Sequence, residues 1–400
     1  VSGLRAQRLA ARRAARRRAM GRGAMVAAAS VVVAVGTATG MLSALDARGG
    51  SDEARPGLVS GSPSPDSLPV VPSASEPAAP SASASAPPSA KVSASPSPKK
   101  ASPGSTKART TTATRLYRYP SSQVLDWVQD NPRDRRAEVI ESRIADRPAA
   151  VWFADYAPAT ITSRVRAVTS GGAAQDRVPV VVAYAIPDRD CGGASQGGAP
   201  DLGAYDAWID RFAAGLGSGE VVVVLEPDSI AQSECLSAAR RADRFASLAR
   251  AGRVLKAANP KARVYYDAGH SGWRPAAEQA ALLKQAGAAS AASSDGIFSN
   301  VSNFHTTAAE IAYDRRILDA LDGPPGLGAV IDTSRNGNGA PPDGEWCDPA
   351  GRKIGRAPTL NTGEPRIDAY LWVKLPGESD GCKGAPGTFS PSYAYDLASP

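Results

Sequence analysis

The segment Val221–Ser229, VVVVLEPDS, limits what this chain can fold into more than any other part of it. A run of β-branched residues predicts a strand, and it delivers two carboxylates, Glu226 and Asp228, at its end. The C-terminal edge of a parallel sheet is where α/β proteins place their chemistry. A second run, VPVVVAYAIPDRDC over 178–191, repeats the design: apolar residues give way to Asp188, Arg189 and Asp190 and then to glycines. Structural salt bridges would account for either acidic cluster alone. Two strands aiming carboxylates at one rim point instead to paired acid and base work, as in glycoside hydrolases.

The remaining strand-like runs fall at 150–153, 262–267, 296–300, 328–332 and 369–374, giving seven with 179–186 and 220–226. Helical patterns separate them, among them 203–215 and 236–258, with 121–130 and 134–145 in front. The alternation predicts an α/β domain at 114–400, a distorted, seven-stranded parallel β/α barrel. Nearly every strand ends in polar or reactive residues: Asp155 and Tyr156, Asp188 and Asp190, Glu226 and Asp228, Asp267 and His270, Asn300 and Asn303, Asp332 and Arg335, then Lys374, Glu378 and Asp380. Asp332, in DTSRNGNG, reads as a loop brace. Trp273 and Trp346 sit in Gly-rich loops, where an indole suits the apolar face of a sugar better than it suits a core. Trp127 and Trp208 lie on helical patterns and read as packing residues.

Composition shifts sharply ahead of that domain. Residues 1–23 carry eight arginines and no acid; without them 38 basic residues face 39 acidic ones, so the excess of positive charge belongs to a leader, and a nucleic-acid partner loses its main support. Residues 24–45 are uncharged and long enough to cross a bilayer, with the arginines predicting a cytoplasmic N-terminus. A membrane anchor and a cleaved secretory signal remain open for this segment, and either places the rest of the chain outside the cell. Residues 46–113, rich in Ser, Pro and Ala, have too little apolar area to fold and are expected to form a tether.

All four cysteines, Cys191, Cys235, Cys347 and Cys382, fall beyond the tether, and no C-x-x-C spacing suggests a metal. In an exported region they are expected to pair, 191 with 235 and 347 with 382, although counting alone allows three connectivities. Other chemistries are poorly supplied. The chain has two histidines and no Walker loop, and it calls for no cofactor.

At LYRYPSSQVLDWV, AYAIPDRDCGGASQGGA, VVLEPDSIAQ, YYDAGHSGW, SNVSNF, DTSRNGNG, CDPAGRKIG and IDAYLWVKLPGESDGC the sequence resembles glycoside hydrolase family 6, whose members hydrolyse β-1,4-glucan with inversion. The resemblance implies a general acid at Asp228, a neighbouring carboxylate at Asp190 and a third at Asp267. It places Tyr184 beneath the distorted sugar ring, and sugar-binding groups and a base among Lys374, Glu378 and Asp380. The base is expected at Asp380, far enough from the acid for a water to sit between them. His270, Asn303, Trp273 and Trp346 are then expected to line the glucan site with these.

Two positions depart from the family pattern. His305-Thr306-Thr307 follows SNVSNF where relatives carry a tryptophan that stacks on the leaving-group side, and Gln196 stands near a serine position that Ser195 is able to fill. Short segments between Trp346 and Glu378 imply an open cleft and endo cleavage. The leading expectation is therefore a monomeric, exported endo-β-1,4-glucanase acting on β-1,4-glucan and cello-oligosaccharides. A hydrolase remodelling another β-glucan at the producer's own surface and a non-catalytic glucan-binding protein are the alternatives.

Overall fold

The computed structural model describes residues 116–400, so the leader, the apolar segment and the whole of the tether expected above lie outside the described residues. Seven parallel strands succeed one another in sequence order: β1 (Val151–Phe153), β2 (Val180–Ala183), β3 (Val221–Leu225), β4 (Ala262–Asp267), β5 (Gly296–Ser299), β6 (Gly328–Asp332) and β7 (Ile367–Leu371). The helices are α1 (Gln123–Asp130), α2 (Ala137–Ile140), α3 (Ile161–Ala173), α4 (Leu202–Ala213), α5 (Ala238–Ala258), α6 (Ala276–Gln285), α7 (Thr307–Leu321) and α8 (Pro391–Ala398).

Both faces of the sheet are buried, which is why its strands are apolar without alternation. Val180, Val182, Val222, Val224, Phe298, Val330 and Leu371 pack together on the inner face. Their neighbours Val181, Val223, Leu225, Val264, Ile297 and Ile331 pack outward with the helices. Helix α4 shows the match from the other side. Asp201 caps it by accepting from the Ala204 amide, and Tyr205, Trp208, Ile209 and Phe212, at helical spacing, are all fully buried. Replacing Trp208 by alanine would cost about 3–5 kcal/mol through the cavity it leaves.

The barrel is open. Strands β1 and β7 form no ladder; their ends meet through the Ala150 amide on the Trp372 carbonyl, 2.9 Å, and the Trp152 indole N–H on the Val373 carbonyl, 2.7 Å. Three expected boundaries move. Strand β2 stops at Ala183 because the Ala185 and Ile186 amides turn to the Glu226 carboxylate. Strand β7 stops at Leu371 because the Lys374 amide is taken by Asp332 Oδ2 at 3.0 Å. The pattern at 134–145 starts late and ends as a π-turn, Glu141–Ala145, since the Asp134 carboxylate forms a local turn with the Arg136 amide and guanidinium. Both expected disulfides, Cys191–Cys235 and Cys347–Cys382, are present.

Candidate active site

A cleft of about 1100 Å³ opens at the C-terminal ends of the strands. Asp228, Asp190, Asp380, Tyr184, Trp273, His270, Asn303, Trp346, Lys374 and Glu378 all line it. The backbone is strained around its rim: Asp188, Asp190, Cys191, Glu226, Asp228, Asn300 and Ser302 all have φ between 46° and 68°. Each such residue costs on the order of 1–3 kcal/mol, and this concentration at strand ends is typical of sites where side chains must be aimed.

Asp228 occupies the centre. Burial, then the charges of Asp267 and Asp190, push its carboxyl up to about 8, against a smaller opposing effect of the Tyr184 hydroxyl. The same burial raises Tyr184, so its hydroxyl remains a neutral donor. Tyr184 is fixed edge-on against Trp152, ring centroids 5.3 Å apart, with the Arg189 guanidinium over its face at 4.4 Å. Asp190 Oδ2 accepts from the Ser195 amide at 2.7 Å. A side chain on Gly193 would meet that carboxylate at 2.6 Å, so the glycine lets the loop close around Asp190. Ser195 and Gln196 both line the cleft.

Two carboxylates stand elsewhere than the strand pattern suggests. Glu226 is fully buried and does not reach the cleft; it accepts from the Ala185 and Ile186 amides, holding the β2 end against β3, and burial raises it to about 7. Asp267, expected among the sugar-binding groups, is also buried and is not part of the cleft wall. Its Oδ2 accepts from the Ile230 and Ala231 amides and its Oδ1 from the Gly269 amide. With both oxygens committed to backbone, it braces the Asp228 loop from behind and acts on Asp228 through its charge.

Across the cleft Asp380 is held between two cations. Its Oδ2 accepts from Arg335 Nη1 at 2.6 Å and its Oδ1 lies 3.2 Å from Lys374 Nζ. Arg335 is fully buried with its guanidinium over the Phe304 ring, which keeps it from moving away from Asp380. Glu378 is raised to about 7, chiefly by burial, with Lys374 and Arg335 opposing, and it accepts from Gln123 at 3.3 Å.

The aromatic wall also has a defined geometry. Trp346 is 58% exposed on the cleft edge, and Trp273 is half-buried beside His270, ring centroids 5.2 Å apart. His305 stacks on His270 at 4.3 Å, so the residue that departs from the family pattern still packs into this wall. Gly272 is required there, since a side chain would meet His305 at 2.5 Å. Burial, with His305 adding to it, lowers His270 to about 3 and makes it a neutral ring.

Sequence reasoning passed over Asp348, Trp152, Arg189 and the buried role of Arg335. Asp348 accepts from the Ser379 hydroxyl and from the amides of Asp380, Cys382 and Lys383, organising the whole Asp380 loop. Its one signal was adjacency to Cys347, whose partner Cys382 lies two residues from Asp380. Arg189 donates to the carbonyls of Ala154, Tyr184 and Ser195, a backbone role that no spacing reveals.

Comparison with known proteins agrees with this geometry. The chain is 54% identical over 273 residues to Endoglucanase 1 of Streptomyces sp. (strain KSM-9), covering 68% of this chain and 75% of that protein. It is 50% identical over 280 residues to Endoglucanase A of Thermobispora bispora, covering 70% of this chain and 60% of that protein. Among solved structures it resembles the endoglucanase Cel6 from Mycobacterium tuberculosis in complex with methyl-cellobiosyl-4-deoxy-4-thio-β-D-cellobioside. That match has a TM-score of 0.66 and 38% identity over 72% of this chain and 97% of that one. The family model for glycosyl hydrolases family 6 matches residues 106–396, and with the half-open barrel and its carboxylate-lined cleft this establishes that the chain belongs to glycoside hydrolase family 6.

Proposed function

We propose that this enzyme is an exported endoglucanase that cleaves β-1,4-glucosidic bonds within glucan chains, with inversion at the anomeric carbon. The observation that carries the reading is the Asp228 carboxyl, pushed up to about 8 at the floor of an open cleft. A general acid must still hold its proton at neutral pH, and burial beside two other carboxylates provides that. Asp228 gives its proton to the glycosidic oxygen as the bond to the anomeric carbon breaks. In the same step water attacks the opposite face of the ring and gives up a proton.

Asp380 is the proposed base. Arg335 and Lys374 balance its charge, and Oδ1, which carries only the Lys374 contact, has a lone pair left to orient that water. The charge of Asp190 keeps the proton on Asp228 between turnovers, and Asp190 helps relay through water the proton that replaces it after each turnover. Tyr184, wedged by Trp152 and Arg189, supports the distorted ring, and Trp273, His270, Asn303 and Trp346 carry flanking sugars. The similarity to named endoglucanases supports internal cleavage of β-1,4-glucan.

The test is leaving-group dependence. Asp228→Ala should hydrolyse cello-oligosaccharides about 10²–10⁴-fold more slowly, the usual worth of a general acid, yet keep activity on a cellobioside whose phenol departs without protonation. Equal loss on both substrates would remove Asp228 from the acid role.

A further inference from the structure

Glu310 and Asp314 lie four residues apart on one face of α7, and both are fully buried. Each has one oxygen in use. Glu310 Oε1 accepts from the Ser271 amide at 2.9 Å, and Asp314 Oδ2 accepts from the Ser299 hydroxyl at 3.0 Å. The other two oxygens, Glu310 Oε2 and Asp314 Oδ1, are buried and meet no donor among the described residues. Two ionised carboxylates at this spacing in a low-dielectric interior would repel strongly, and two orphaned acceptors would each lose solvation without return.

One hydrogen removes both penalties. We infer that Glu310 and Asp314 share a single proton between these two oxygens, and that Glu310, so held, is a positioning residue for the loop carrying His270 and Trp273. An O–H on one carboxyl donates to the other, so each orphan becomes satisfied and the pair carries one negative charge instead of two. Burial raises both groups, and for Asp314 the charge of Glu310 adds to the rise.

The loop in question is gripped from the same helix at a second point, where the Tyr313 hydroxyl donates to the Ala268 carbonyl at 3.3 Å. Ser271 sits directly between His270 and Gly272, so its amide fixes the segment that bears the cleft wall. The ionisable neighbours are few. Tyr313 lies beside the pair and also feels Asp267 of β4 and Arg274 of the loop beyond it. Glu278 and Lys284 of α6 are exposed, and Asp332 of β6 is committed to the amides of Ser302, Ser334 and Lys374.

The positioning half of this inference rests on the glucan-binding reading of the cleft; the proton-sharing half does not. The experiment therefore measures two things on the full chain: thermal stability against pH, and the affinity and turnover of cellohexaose. An amide supplies the hydrogen that the shared proton supplies, so Glu310→Gln and Asp314→Asn should each keep KM within about twofold of the parent. Both folded pKa values are raised, so the parent loses stability as pH climbs out of the ordinary carboxylate range toward them. Asp314→Asn should flatten that decline.

Glu310→Ala removes the acceptor for Ser271 and should raise KM about tenfold with kcat changed by less than about threefold. Glu310→Met, of similar volume, replaces it if the alanine variant does not fold. An unchanged pH dependence in Asp314→Asn overturns the shared proton. A parental KM in Glu310→Ala or Glu310→Met overturns the positioning role. If the parent chain neither binds nor cleaves cellohexaose, the functional reading fails, while the stability arm still decides the proton.

Discussion

Asp348 and Asp380 hold each other by reciprocal hydrogen bonds: the Asp380 amide donates to Asp348 Oδ1 at 2.7 Å, and the Asp348 amide donates to Asp380 Oδ2 at 3.1 Å. The Cys347–Cys382 disulfide closes around this clasp. Burial works against ionisation of Asp348, but the Ser379 hydroxyl and the amides of Asp380, Lys383 and Cys382 outweigh it, and its pKa is lowered. The proposed base thus owes its position to a second carboxylate that never meets substrate.

Removing that carboxylate should matter more than its distance from the glucan suggests. Asp348→Ala leaves the Asp380 and Cys382 amides without an acceptor, while the Lys383 amide keeps Ser379 Oγ and the Ser379 hydroxyl keeps the Gly384 carbonyl, and should cost about 3 kcal/mol of stability, with a drop in kcat larger than any change in KM. Because the folded pKa is depressed, the stability from Asp348 is present above the ordinary Asp pKa and lost as pH falls below about 4. Thermal melts of the parent and Asp348→Ala from neutral to acid pH should converge at the acid end.

Asp228 behaves in the opposite sense. Its folded pKa is raised, so its ionisation weakens the fold as pH rises from the ordinary Asp range toward about 8, and activity falls as the proton is lost. Asp228→Asn should therefore abolish cleavage of cello-oligosaccharides while stabilising the protein at pH 7 by about 1–2 kcal/mol. Asp190→Asn removes one of the charges that hold the proton, and should move the alkaline limb of kcat/KM to lower pH. Rate profiles for the two proteins measure that directly.

The Cys191–Cys235 disulfide ties Asp190 to the segment just beyond Asp228, across a separation of 44 residues. In the chain-entropy account, opening a loop of that length removes about 4 kcal/mol. The double variant Cys191→Ser, Cys235→Ser should show this in denaturant midpoints and should lose kcat under conditions where it remains folded, since Asp190 and Cys191 both sit at positive φ.

Trp346, exposed on the cleft edge, makes the opposite prediction for stability. Trp346→Ala should change the melting free energy by less than about 0.5 kcal/mol, yet raise KM on cellohexaose about three- to tenfold. A fall in stability of the size seen for a core tryptophan would contradict its place on the rim.

How much was legible in the sequence depends on which signals are local. The valine runs at 180–183 and 221–225 announce strands buried on both faces, and the carboxylates just past them announce the rim, because strand direction alone decides which end they reach. Facing is not local. Glu226 and Asp228 are two residues apart at the end of one strand, yet only Asp228 enters the cleft, because Glu226 is claimed by amides 40 residues earlier in the chain. Asp267 likewise reads as a site carboxylate and proves to be a brace, since the Ile230 and Ala231 amides reach it first. Asp348 and Arg335 were hidden for the same reason: their partners come from loops that only the closed fold brings together.

If a protonated Asp228 and a water opposite it displace the leaving sugar in one step, the first product carries inverted configuration at its new reducing end. One-dimensional NMR of cellohexaose cleavage, read in the first minutes before mutarotation, distinguishes the two anomers. The α-anomer of the new reducing end should appear first. Early accumulation of the β-anomer would mean retention through a covalent intermediate, and would contradict both the single-displacement mechanism and the assignment of Asp380 as base.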